Sequence, residues 1–322
     1  MSEGGEGAVI RIEGLTKTFR IGFFRRRVTA LKSVNLEVRR NEIMGFLGPN
    51  GAGKTTTIKI LLGLIHPDAG QAELLGKPLG NVEIKNRIGF LPEGPYFYDY
   101  LSAREFLDFY GRFHSLPKSK RRERVEELLS LVGLFEVGDR PLRKFSKGML
   151  QRIGMAQALL GDPELVILDE PMSGLDPVGR RDMRELILQL REQGKTVFFS
   201  THILPDVEQV CDRVCIIHQG LVRDVGRLDT ILKPKVEIVD LQFSGLEPAG
   251  VAVLEELSER YPGLRVMEKG GLVLVSAPGG AAAEEALERG RGSGGRLVSL
   301  HPQRETLESY FLREIDQGEE RS

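Results

Sequence analysis

Short β-branched runs alternate with longer amphipathic segments from residue 9 to about residue 226, and this alternation predicts a layered α/β domain. Two further observations refine that fold class. Some runs are continuously apolar, as in Leu165-Val166-Ile167-Leu168, which suits parallel strands buried on both faces. Two or three helical segments succeed one another between Ser102 and Leu160, so a helical subdomain (about residues 100–160) is expected as an insertion into the α/β core.

Taken in order, strands are expected over residues 34–38, 42–47, 87–91, 165–169, 196–200 and 213–218. Helices are expected between them, over residues 55–64, 104–113, 118–132, 147–160 and 177–192. A second unit begins near Lys233-Pro234-Lys235. Its pattern is strand (236–243), helix (247–261), strand (264–268), strand (272–276), helix (281–288) and strand (296–300), the β-α-β-β-α-β order of a ferredoxin-like α+β domain. A closing helix over residues 304–315 carries Leu307, Tyr310, Phe311 and Ile315 at helical spacing. The glycines of residues 290–295 precede a strand, the wrong side for binding phosphate, and read as a flexible loop. The expected organisation is a disordered leader over 1–8, a first domain over 9–232 and an accessory domain over 233–322.

Composition bounds the function. The 322 residues are 41% hydrophobic and 28% charged, with a formal net charge of -1. A near-neutral chain has no overall field for nucleic acid, and the longest basic run, Arg25-Arg26-Arg27, is too short to supply one. That run reads as a solvated loop, with contact to anionic headgroups or a membrane partner as the alternative. No stretch of eighteen apolar residues exists, so no bilayer-spanning helix is expected. The Gly- and Glu-rich start is unlike a signal peptide, and Cys211 and Cys215 read as reduced thiols. These features point to the cytoplasm.

The strongest chemical signal is Gly48-Pro49-Asn50-Gly51-Ala52-Gly53-Lys54-Thr55, a full G-x-x-x-x-G-K-T with Thr56 behind it. It follows an apolar strand and opens a helix, the context of a P-loop NTPase (RecA-like) core. Its glycines let backbone N–H groups turn around phosphate oxygens at a helix N-terminus. Lys54 is placed to reach the β- and γ-phosphates of ATP, and the Thr55 hydroxyl to ligate Mg2+. The apolar strand ending in Asp169-Glu170 supplies the acidic element. Alone it could be a strand reaching solvent; downstream of a phosphate loop, Asp169 is suited to hold Mg2+ and Glu170 to act as general base.

Between these elements lies Phe145-Ser146-Lys147-Gly148-Met149-Leu150-Gln151-Arg152, in which Ser146 could serve simply as a helix cap. The segment resembles the signature motif of ABC ATPases, in the variant carried by drug- and polysaccharide-exporter subunits. Ser173-Gly174-Leu175-Asp176 resembles the family's D-loop, and Ser200-Thr201-His202 its switch-histidine segment. Phe19 matches the position where the family stacks an aromatic ring on adenine; core packing competes there, and Phe23 or Phe24 could substitute. After Ile88-Gly89-Phe90-Leu91-Pro92 the family usually has Gln, and here Glu93 stands in its place as a candidate Mg2+ ligand.

The resemblance implies an ATP-hydrolysing transporter subunit that packs head to tail with a second copy or a paralogue. Each ATP would meet the phosphate loop of one chain and Ser146, Lys147, Gly148 and Asp176 of the other. It further implies integral-membrane permease partners, a place on the inner face of the membrane through them, and export. The aromatics Tyr96, Phe97, Tyr98 and Tyr100 either grip a permease's cytoplasmic helix or pack the helical subdomain. The accessory domain resembles that of exporter ATPases and shows no catalytic constellation. Ribosome- or DNA-directed relatives carry two cassettes or a long coiled coil, and this chain has one phosphate loop and no sustained heptads. A non-catalytic nucleotide-binding regulator is argued against by Lys54, Asp169, Glu170 and His202 together.

Overall fold

The computed structural model describes residues 7–22, 26–114, 116–232, 236–304 and 306–320. Most of the expected leader, the alternates Phe23 and Phe24, Arg25, the Lys233-Pro234-Lys235 boundary and the Ile315 side chain lie outside the described residues.

β1 (Ala8–Ile21) and β2 (Arg26–Arg39) pair antiparallel, with bulges along the ladder. The chain enters a second sheet through β3 (Ile43–Leu47) and turns into α1 (Lys54–Leu61). It returns with β4 (Ala69–Leu74) and β5 (Lys77–Pro78), giving a first sheet of order β2-β1-β4-β5. Of this sheet, sequence reasoning expected only residues 34–38. The reason is visible in β2, where Val34, Leu36 and Val38 are buried while its first half is largely exposed and polar. An exposed hairpin arm has little hydrophobic signature.

β6 (Ile88–Leu91) leads into the helical subdomain of α2 (Ala103–Gly111), α3 (Lys118–Leu131) and α4 (Lys147–Ala158). The α/β alternation then resumes with β7 (Leu165–Asp169), α5 (Pro177–Glu192), β8 (Thr196–Thr201), α6 (Leu204–Val210) and β9 (Arg213–His218). β10 (Leu221–Arg227), not expected from sequence, closes the sheet by pairing antiparallel with β9. The second sheet has the order β10-β9-β3-β8-β7-β6, and all its pairings except β10 with β9 are parallel. Every residue of β3, β7 and β8 is buried, as the continuous apolar runs required.

One apolar core joins the first sheet (Ile10, Ile12, Leu31, Val34), α1 (Ile58, Ile60, Leu61) and the parallel strands (Met44, Phe46, Leu165, Ile167, Phe198). Each such side chain contributes about 1.5–3 kcal/mol by leaving water. α1 ends three residues before the expected 64, because the chain turns left-handed at Gly63 (φ 70). Both cysteines are free; Cys215 is buried in β9, and loss of solvation pushes both thiols up, away from reactivity.

By compactness the chain divides into Met1–Leu228 with Arg313–Ser322, and Asp229–Leu312. α7 (Leu228–Ile231) opens the second unit, whose further elements are β11 (Val236–Ser244), α8 (Pro248–Glu255), α9 (Leu257–Arg260), β12 (Arg265–Lys269), β13 (Leu272–Pro278), α10 (Gly279–Gly292) and β14 (Arg296–Arg304). The antiparallel sheet order β12-β13-β11-β14 completes the ferredoxin-like arrangement. Val239, Leu241, Phe243, Val273 and Val275 of the sheet pack with Leu254, Leu257, Ala282 and Ala286 of the helices.

Two expectations in this unit need correction. The helix expected over 247–261 is two short helices, α8 and α9. The loop expected over 290–295 begins inside α10, which runs through Gly292. A Cβ at Gly290 would come within 2.6 Å of the Phe243 ring, so this glycine lets the helix close onto the sheet. α11 (Leu307–Glu320) follows. Among the described residues no helix is long and apolar enough to cross a membrane.

Candidate functional site

The loop between β3 and α1 is shaped by two glycines. A Cβ on Gly48 would stand 2.3 Å from the Ile217 carbonyl oxygen of the neighbouring β9, so only glycine fits there. Gly53 takes φ 113 as the N-cap of α1 and offers no side-chain cap. The N–H groups that open α1 are thus directed into the loop without a side chain to satisfy them. Asn50 and Gly51 are exposed at the tip, Pro49 is half-buried, Ala52 is buried, and Thr55 and Thr56 are half-buried.

Lys54 is 6% exposed, and its Nζ donates to the carbonyl oxygens of Gly48 (2.7 Å) and Pro49 (3.3 Å). The same Nζ lies 3.1 Å from Glu170 Oε1. That contact is an ion pair by distance without the alignment of a hydrogen bond, since Oε1 has no hydrogen-bond partner among the described residues.

β7 delivers two adjacent carboxylates in different directions. Asp169, at the strand's end, accepts from Ser200 Oγ (2.6 Å) and Thr55 Oγ1 (3.3 Å) through Oδ1. Glu170 sits at φ 50, left-handed for a residue with a side chain, at a cost of about 1–2 kcal/mol. Its N–H is held there by the Ser200 carbonyl (3.2 Å) and Ser200 Oγ (3.0 Å). The sharp turn sends the Glu170 carboxylate between Lys54 and His202, whose Nδ1 is 2.9 Å from Oε2. Glu170 is 5% exposed, so these charges meet in a poorly solvated place.

Sequence reasoning omitted Ser200 as a site residue. A hydroxyl ending the apolar run Thr196-Val197-Phe198-Phe199-Ser200, beside the acidic strand, was the available signal. Ser200 is fully buried, and the pairing of Asp169 with Ser200 in the parallel ladder brings it to both acids.

The other expected residues lie apart from this cluster. Ser146 is exposed and caps α4, accepting from the Met149 N–H (3.3 Å). Lys147 is exposed, Gly148 half-buried, and a Cβ on Gly174 would fall 2.0 Å from Lys147 Nζ, so that lysine overlies the 173–176 loop. Asp176 is the N-cap of α5, accepting from the Gly179 N–H (2.8 Å). These segments border one open cavity of about 510 Å³. Phe19, on β1, is half-buried outside the main apolar core, with Lys17 Nζ 5.6 Å from its ring centroid. Glu93 is exposed and makes no hydrogen bond or ion pair with Thr55 or Asp169 among the described residues.

The aromatic segment splits residue by residue. Phe97 packs on Phe106 (5.3 Å) and Tyr98 on Phe109 (5.6 Å), whereas Tyr96 and Tyr100 are 80% and 65% exposed.

The sequence profile of the ABC transporter family matches residues 31–173. An uncharacterized ABC transporter ATP-binding protein of Synechocystis is 44% identical over 311 residues, covering 95% of this chain and 84% of the relative. Nod factor export ATP-binding protein I of Ralstonia nicotianae is 33% identical over 260 residues, covering 80% and 79%. Among solved structures, the dimeric post-hydrolysis state of the ATP-binding cassette MJ0796, bound to ADP and Pi, superposes with a TM-score of 0.62 at 26% identity, covering 68% of this chain and 98% of that one. The chain belongs to the ABC transporter family, as one of its ATP-binding, ATP-hydrolysing subunits.

Proposed function

We propose that this chain powers export through a separate membrane permease, and that Glu170 is the general base of its ATPase cycle. The observation that carries the reading is the Glu170 carboxylate held between Lys54 and His202 at the end of a buried parallel strand. Strand ends of this kind open onto the ligand crevice of α/β sheets. Glu170 takes a proton from a water whose oxygen attacks the γ-phosphorus. The bond from that phosphorus to the bridging oxygen breaks, and ADP leaves with the electron pair. Lys54 donates to the phosphate oxygens. His202 uses Nδ1 on Glu170, so Nε2 is the nitrogen available to the γ-phosphate.

Thr55 Oγ1 and Asp169 Oδ1, 3.3 Å apart, form a hard oxygen pair that suits Mg2+. No group of three or more His, Cys, Asp and Glu able to hold a metal occurs among the described residues, which fits an ion held largely by phosphate and water. When bound, Mg2+ would neutralise charge on the β- and γ-phosphates. Glu93, exposed on the segment leading to Tyr96, would add a carboxylate to the ion or to its water.

Two copies would close head to tail, with α4 of each presenting Ser146, Lys147 and Gly148 to the other's nucleotide, and Asp176 nearby. Phe19 would receive the adenine ring. The permease would sit on Tyr96 and Tyr100, beside a groove of about 1070 Å³ floored by Leu101, Phe109, Val125 and Phe135. The accessory domain over 233–322 would regulate or steady the dimer. Export is supported by the Nod factor relative. Replacing Glu170→Gln should lower steady ATP turnover by on the order of 10²-fold or more while leaving ATP binding intact. Turnover surviving that change, measured by phosphate release, would defeat the assignment.

A further inference from the structure

α6 begins two residues after His202, and it carries a carboxylate that the reaction does not use. Asp206 is 2% exposed, on the first turn of that helix. Its Oδ1 accepts from Arg184 Nη1 of α5 at 2.7 Å, and Oδ2 is buried without a hydrogen-bond partner among the described residues. Arg184 is itself largely buried, with 19% of its side chain exposed.

A half-satisfied buried ion pair is a poor way to gain stability, because desolvation offsets most of the attraction. Apolar packing already joins this region, where Val207 and Val210 of α6 are buried, as are Met183, Leu186 and Ile187 of α5. The ion pair adds direction, which apolar contact lacks. It sets the rotation and height of α6 against α5, and α6 carries the chain away from His202.

Short-range bonds at the end of β8 hold the backbone on both sides of the histidine. Thr201 ends β8, its carbonyl accepts from the Gly48 N–H (3.2 Å), and its Oγ1 accepts from the Ile203 N–H (3.0 Å). Beyond Ile203 the next fixed point is α6. We infer that the Arg184–Asp206 pair is a positioning device for the reaction: it holds α6 so that the His202 imidazole meets Glu170 at hydrogen-bonding distance. Asp206 and Arg184 act on the reaction through His202. α5 starts at Pro177, capped by Asp176 at the surface assigned above to the second copy, so the pair joins that loop's helix to the histidine.

This inference rests on the role proposed for His202, and a double-mutant cycle on the full-length chain separates the two. ATPase kcat and KM would be measured, well below each variant's melting temperature, for Asp206→Asn, His202→Ala and the double variant. The expected result is a kcat reduced on the order of tenfold by Asp206→Asn, an unchanged KM, and no further loss from that change in the His202→Ala background. Val207→Ala is the control for loosened packing: it should lower the melting temperature and leave kcat alone. If Asp206→Asn folds poorly, Arg184→Gln probes the same pair from its less buried side, with Arg184→Lys expected to restore part of kcat.

Equal losses in both backgrounds, or no loss of kcat from Asp206→Asn, would overturn the positioning role and leave the His202 assignment standing. Normal turnover in His202→Ala alone would overturn the histidine's role and this inference with it.

Discussion

Ser200 shows how much one hydroxyl organises. Its Oγ donates to Asp169 and accepts the Glu170 N–H, so a single side chain sets the carboxylate expected to face the metal and the strained turn that aims the proposed general base. Ser200→Ala would leave the Asp169 oxygen and the Glu170 N–H each short of a partner in a fully buried place. Each keeps a second partner, Thr55 Oγ1 for the Asp169 oxygen and the residue-200 carbonyl for the Glu170 N–H, so the loss is that of two buried hydrogen bonds, about 0.5–1.5 kcal/mol each. The expected outcome is a lower melting temperature in a thermal melt, together with a clear fall in kcat, because Glu170 would relax from φ 50. A melt unchanged from the parent would show that the turn at Glu170 does not depend on this hydroxyl.

At the scale of elements, α4 is where a structural role and a proposed functional one overlap. Ser146 caps the helix, and removing such a cap costs about 1 kcal/mol. Capping alone and nucleotide contact across a dimer predict different outcomes for two substitutions. Ser146→Ala should lower both stability and ATPase activity. Ser146→Asp keeps a capping oxygen and should restore the melting temperature, while its charge repels phosphate and keeps ATPase activity low. Recovery of ATPase activity in Ser146→Asp would reduce Ser146 to a cap. The neighbouring helices follow a related logic: Asp176 caps α5, so the loop that resembles the D-loop is anchored by the helix it opens.

Across the whole molecule, polar ties join elements that are distant in sequence. Glu164, just before β7, accepts from Arg87 Nε (2.6 Å) and Nη2 (2.8 Å) ahead of β6, and from Arg40 Nη1 (3.2 Å) after β2. Hydrogen bonds from Arg87 do most to lower its carboxyl from 4.5 to about 2; burial opposes them, and Arg40 assists to a lesser degree. Because the folded value is the lower one, the stabilisation is fully present above about 4.5 and is lost as pH falls toward about 2. Glu164→Gln should therefore melt modestly earlier than the parent at neutral pH, and the gap should close across that acid window. The side chain is 43% exposed, so the effect is screened and small. The assembly makes a separate prediction. Tyr96→Ala with Tyr100→Ala should reduce co-purification with the permease several-fold while the isolated chain keeps its ATPase rate, since both rings are exposed in the chain itself.

What could be read from sequence was what the chain encodes over short distances. The phosphate loop needs eight consecutive residues between a strand and a helix, and β7 announces itself by an apolar run ending in Asp169-Glu170. The β-α-β-β-α-β order of the second unit was also legible, because alternating burial such as that of β13 leaves a period-two pattern. Tertiary structure alone decided the rest. The largely exposed first half of β2 is fixed by its pairing with β1, not by a hydrophobic face of its own. Lys54, Ser200 and His202 reach Glu170 only because β3, β7 and β8 lie side by side in parallel register. The pairing of Arg184 with Asp206, 22 residues apart, depends on how α5 packs against α6. Local backbone chemistry is written in neighbouring residues; the convergence of charges on one carboxylate is a property of strand order, which no short stretch of sequence contains.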